Sequence, residues 1–168
     1  MVVTAVEPGE LQGDAARQFA LYAGYGLPWQ RYAGAEQLDH CALILDALLG
    51  TGVQGAPRGL ASAIIAAINA TCAPVLAVDI PSGLPSGCQR TTGEVVQATA
   101  TASLGLAKAG LYSPAGRQAA GKIYVDAIGL PPQLLKDTGL ILNNAANAAK
   151  GLPPRSRDSN KGSYGHGL

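Results

Sequence analysis

Two short runs of apolar residues, each closed by an aspartate, constrain this chain more than any other feature. Residues 42–45 (ALIL) end at Asp46, and residues 74–78 (PVLAV) end at Asp79. A strand with one wet face alternates apolar and polar residues, whereas an unbroken apolar run suits a strand covered on both faces of a parallel sheet. Between the two runs, Leu60, Ile64, Ile65 and Ile68 recur on one helical face within residues 59–70, with Pro57 placed for a first helical turn. Strand, helix and strand at this spacing read as one parallel crossover.

The same alternation begins earlier. Residues 2–6 form a β-branched run, Glu7, Pro8 and Gly9 form a turn, and Leu11, Ala15, Phe19 and Ala23 then recur every four residues. Residues 122–128 (KIYVDAI) add a further strand after Gly121. The predicted class is therefore α/β with a mostly parallel sheet. With 168 residues, 48% of them hydrophobic, the chain has the length and the apolar content for one cored domain. Its 22 glycines and 11 prolines exceed ordinary usage of about 12% and call for many tight turns.

Charge excludes several roles. Twelve basic residues face eleven acidic ones, and the net charge of +1 provides no field to gather nucleic acid or an anionic membrane. No apolar run approaches the roughly 20 residues needed to span a bilayer. The first ten residues carry acids in place of a basic, then apolar, secretory leader, so the expected setting is cytoplasmic. Cys41, Cys72 and Cys88 show no CxxC spacing and read as small core or loop residues. His40 and His166 are isolated and read as having no chemical role.

The candidate chemistry lies in the loops after the strands, where open α/β sheets bind ligands. Gly50, Gly52 and Gly55 in GTGVQG match GxGxxG between a predicted strand and a predicted helix. Such glycines let backbone N–H groups approach a phosphate, or else they form a turn that binds nothing. Asp79 stands where a ribose-binding acid would be sought. Asp46 and Ser82 make a hard oxygen pair suited to an alkali or alkaline-earth cation, with turn or cap residues as the plainer reading. Lys108 and Arg58 read either as phosphate contacts or as solvated loop residues.

Four stretches then carry a resemblance: LILDALLGTGVQGAPRG (43–59), VLAVDIPSGL (75–84), TGEVVQATATASLGLAKAGL (92–111) and GKIYVDAIGLP (121–131). In this order they resemble the YjeF N-terminal domain family, the NAD(P)H-hydrate epimerases. The resemblance implies a three-layer αβα, Rossmann-like sandwich. It implies a small-molecule substrate, NADHX or NADPHX, whose R and S forms are interconverted in nicotinamide nucleotide repair. By the same resemblance Asp46 and Ser82 match potassium ligands, so K+ is the implied cofactor. Gly50, Thr51, Gly52, Val53, Gln54, Gly55 and Ala56 match the substrate-binding loop, and Asp79 matches a substrate-contacting acid. Asp79 is also the candidate acid/base group, because epimerisation needs a proton moved as the hydroxyl leaves or the ring opens.

The tail LPPRSRDSNKGSYGHGL (152–168) looks like the opening of the ADP-dependent NAD(P)H-hydrate dehydratase domain that follows the epimerase in bifunctional bacterial proteins. The expected organisation is an epimerase domain over 1–135, a linker over 136–150 and a truncated dehydratase start over 151–168. The family's asparagine- and glycine-rich loop of the type NNGGDG has no counterpart here. A chain lacking that N-terminal wall is expected to be a weak or inactive epimerase by itself. Two other readings compete: a non-catalytic nucleotide-binding remnant, and an NAD-dependent oxidoreductase suggested by GxGxxG. Against the oxidoreductase, no Tyr-x-x-x-Lys or His/Asp proton-transfer pair appears downstream. No nucleic-acid or membrane partner is expected, and a homo-oligomer is left open.

Overall fold

The computed structural model describes residues 1–52, 55–135, 139–151, 157–160 and 162. It divides into two compact units, Met1–Lys136 and Asp137–Leu168. The first holds two parallel sheets. β1 (Val2–Thr4) pairs with β2 (Trp29–Arg31), and β3 (Ile44–Asp46), β4 (Val75–Val78), β5 (Ala100–Leu104) and β6 (Lys122–Asp126) form a second sheet in that order. Every pairing is parallel, which gives the α/β fold that the apolar runs imply and agrees with the Rossmann-like class that the resemblance implies.

A sheet whose strands follow chain order, joined by crossovers of one hand, carries all its connections on one face. The burial pattern agrees. On the covered face Ile44, Asp46, Val75, Ala77, Thr101 and Ser103 are buried. Helix α2 (Leu60–Ala70) contributes Ile64, Ile65 and Ile68 to the same cluster as Ile44 and Val75. Residue Leu60, included in the expected apolar face, stays exposed at the first turn. A second cluster gathers Ile80, Leu84, Leu111 and Ala119 around helix α3 (Pro114–Ala119), whose N-cap Ser113 accepts a hydrogen bond from the Gly116 amide.

The opposite face is different. Its register rows run Leu45, Leu76, Ala100 and then Val78, Ala102, Tyr124. Leu45 is 61% exposed and Tyr124 is 52% exposed. The residues are apolar, as a doubly covered strand requires, yet among the described residues no helix shields them. α1 (Gly13–Gly24) buries none of its residues, and Ala15 and Ala23 of its expected stripe are exposed. Phe19 instead stacks edge-on against Trp29 of β2 with ring centres 4.9 Å apart.

Two further expectations need correction. Pro57 lies ahead of α2 and outside it, because Gly59 at φ +55° turns the chain into the helix. The strand of residues 2–6 is shorter, ending at Thr4. Strands β2 and β5 and helix α3 carry no clear sequence signal: β2 has three residues, and β5 is a stretch of small residues without a run of large apolar ones. In the second unit, α4 (Ala145–Gly151) occupies part of the stretch read as a linker. Most of 151–168 lies outside the described residues. No described helix is long and apolar enough to cross a membrane.

Candidate functional site

β3 and β4 end side by side, since Asp46 is in register with Ala77. That adjacency brings Asp46 to Ser82, 36 positions later in the chain. The Ser82 hydroxyl donates to Asp46 Oδ1 at 2.6 Å, and the Ser82 amide donates to Oδ2 at 2.8 Å. The Leu48 amide adds a third donor to Oδ1 at 3.3 Å. Asp46 is 1% exposed and Ser82 fully buried. Burying a carboxylate is costly unless hydrogen bonds or an opposite charge compensate it. Here the bonded donors are all neutral, and no described Lys or Arg pairs with Asp46.

The donor types fit a hard monovalent cation. Asp46 Oδ2 and Ser82 Oγ each keep spare lone-pair capacity, and the Leu49 carbonyl lies 3.4 Å from Ser82 Oγ. The set would hold such a cation through oxygen atoms alone. Among the described residues no group of three or more His, Cys, Asp or Glu side chains could hold a metal ion.

The Leu49 amide donates to Ser82 Oγ at 2.8 Å, so the residue just before Gly50 is tied to the buried pair. From there Gly50, Thr51, Gly52 and Gly55 line a cavity of about 510 Å³ together with Gly83, Pro85 and Arg90. Val53 and Gln54 lie outside the described residues. Ala56 is half-buried beside the loop. The glycines do not open a helix, because Ala56, Pro57, Arg58 and Gly59 separate Gly55 from α2. A dinucleotide fingerprint of the oxidoreductase type, whose last glycine packs at the helix start, is therefore not formed.

Asp79 follows β4 directly and adopts φ +70°, a left-handed conformation uncommon outside glycine. Its amide donates to the Ala102 carbonyl at 2.7 Å, which holds the turn against β5. One carboxylate oxygen, Oδ1, accepts from the Leu104 amide at 2.9 Å and from the Lys108 ammonium. The other oxygen has no hydrogen bond among the described residues. Lys108 also donates to the Leu104 carbonyl at 2.6 Å, and its side chain is 19% exposed. Lys108 is thus neither solvated nor free for a phosphate. No local pattern pointed to this partnership, which joins positions 29 apart.

The remaining residues weighed for chemistry form no hydrogen bond with Asp46, Asp79 or Ser82 among the described residues. Arg58 is exposed, His40 occupies a left-handed turn at φ +61°, and His166 lies outside the described residues. The three cysteines are free thiols, with Cys41 half-buried against the core and Cys72 and Cys88 exposed.

Comparison with known proteins points the same way. The family model for the YjeF-related protein N-terminus matches residues 1–110. The bifunctional NAD(P)H-hydrate repair enzyme Nnr of Moorella thermoacetica is 33% identical over 176 residues, covering 99% of this chain and 33% of that enzyme. The enzyme of the same name from Escherichia coli is 36% identical over 151 residues, covering 89% of this chain and 29% of its own length. The NAD(P)H-hydrate epimerase of Rhodopirellula baltica is 30% identical over 139 residues, 81% of this chain and 57% of that protein. The chain spans about a third of the length of the bifunctional relatives it matches. A parallel sheet with its acids at the carboxyl edge, and a family match over most of its length, place the chain in the YjeF-related N-terminal family.

Proposed function

We propose that this site interconverts the R and S forms of NADHX and NADPHX, the activity named for the Rhodopirellula relative. The observation that carries the reading is the tie between the glycine loop and the buried pair. Leu49 donates to Ser82, Ser82 donates to Asp46, and Asp79 stands three residues before Ser82 at the same strand ends. The loop's backbone N–H groups would take the phosphates, with Val53 and Gln54 completing the Gly50–Ala56 segment. Asp79 is the proton-transfer group, since its second oxygen is free to exchange a proton with the hydrated ring as the hydroxyl leaves or the ring opens.

Asp46 and Ser82 would hold K+, which when bound would supply positive charge to offset the buried carboxylate. The chain's own groups do the rest: the loop orients the nucleotide, and Asp79 moves the proton. The substrate is a small molecule, and a cytoplasmic setting suits a repair activity on free cofactor. Bifunctional relatives support reading 151–168 as the opening of a dehydratase domain, with 136–150 joining it to the epimerase domain.

The test is direct. Purified chain is incubated with separated hydrate isomers in KCl, and their interconversion is followed by chromatography beside a protein-free control. Weak conversion above the control, lost in a folded Asp79→Asn variant, is the expected result for a chain without the NNGGDG-type loop. Conversion at the control rate would refute the activity for this chain.

A further inference from the structure

We propose that Lys108 is a positioning residue for Asp79, fixing one carboxylate oxygen so that the other meets the substrate. The proposal rests on the epimerase reading of the site, and it assigns Lys108 a role that family position alone does not give. Three observations converge on it. Lys108 is largely buried at the carboxyl edge of the sheet, where a solvated lysine has no reason to be. Its ammonium bridges Asp79 Oδ1 and the Leu104 carbonyl, while the Leu104 amide donates to the same Oδ1. These contacts close a small ring of three residues, and both of its links to the carboxylate end on one oxygen.

That asymmetry matters for a proton-transfer group. A carboxylate held by donors on both oxygens has little freedom to take a further proton, and one held by none wanders among rotamers. Two donors on Oδ1 fix the rotamer and leave Oδ2 without a competing protein donor among the described residues. The backbone supports the same geometry. Asp79 is held at φ +70° with its N–H donating a hydrogen bond to the Ala102 carbonyl, so the side chain leaves the strand end at an angle that an extended residue could not reach. Conformations of this kind persist where the surroundings over-determine them, and they cluster at functional sites.

A plain staple between the β4 and β5 ends would also explain an ion pair. The two roles differ in what their loss does. A staple lowers stability independently of Asp79 chemistry, whereas a positioning residue acts only through Asp79. The experiment is a double-mutant cycle on the full chain, using Lys108→Met, Asp79→Asn and the pair, with Lys108→Arg as the conservative variant. Turnover of the hydrate isomers gives kcat and KM, and hydrogen exchange of the Leu104 amide reports the ring itself.

We expect Lys108→Met to lower kcat by about 10²-fold with KM little changed, the effect of a misplaced group. Lys108→Arg should recover part of that loss, and the double variant should be no slower than Asp79→Asn. Exchange of the Leu104 amide should quicken in Lys108→Met and return toward normal in Lys108→Arg. Unchanged kcat in Lys108→Met, losses that multiply in the double variant, or an unchanged Leu104 amide would each overturn the proposal. Should even the unmodified chain convert the isomers at the control rate, the epimerase reading falls separately. The Leu104 amide then decides on its own: quickened in Lys108→Met and restored in Lys108→Arg supports the ring, and unchanged rejects it.

Discussion

Ser82 shows how much one small side chain can organise. Its hydroxyl donates to Asp46 and accepts from Leu49, and its amide takes the second Asp46 oxygen. Removing the hydroxyl in Ser82→Ala leaves a buried carboxylate oxygen with only the Leu48 amide and leaves the Leu49 amide without its acceptor. Unsatisfied buried polar groups cost about 1–3 kcal/mol each, so the variant should unfold at lower urea by an amount in that range. A midpoint equal to that of the parent chain would mean that water replaces the hydroxyl without loss. Asp46 and Ser82 were legible from sequence because each closes or follows an apolar run. Lys108 was not, because a lysine in a glycine- and alanine-rich loop carries no sign of which acid it will meet.

At the scale of elements, the loop after β4 is packed closely against its neighbours at Gly83. Gly83 has φ +90°, and a Cβ there would lie 2.3 Å from the Glu94 carbonyl oxygen and 3.1 Å from the Pro57 ring. Strain of this kind costs about 1–3 kcal/mol before the backbone clash is added. Gly83→Ala should therefore melt well below the parent chain in a calorimetric scan, and an unshifted melting temperature would show that the loop simply moves aside. The sheet supplies a sharper contrast. Ile65→Ala in α2 empties a fully buried position and should cost about 2–5 kcal/mol. Leu45→Gln, on the uncovered face one residue from buried Ile44, should cost no more than about 0.5 kcal/mol in urea titration. Equal costs for the two would mean that a layer covers Leu45 in solution.

For the whole molecule, the charge balance around Asp46 sets the response to salt. A ligand that binds only the folded state stabilises it by about 2.7 kcal/mol at a hundred times its dissociation constant. KCl should thus raise the melting temperature more than choline chloride at equal ionic strength, and Asp46→Asn should erase the difference. Identical curves in the two salts would count against a cation at this site. The sequence by itself determined the class of fold and the edge at which the chemistry gathers. Unbroken apolar runs, a helical repeat between them and acids at the run ends are local patterns, and local patterns fix secondary structure and strand type. The tertiary structure alone decided that Lys108 turns to Asp79, and that Leu45 and Tyr124 stay open to water. Those outcomes depend on which strands become neighbours, and pairing between positions about 30 residues apart leaves no periodic trace along the chain.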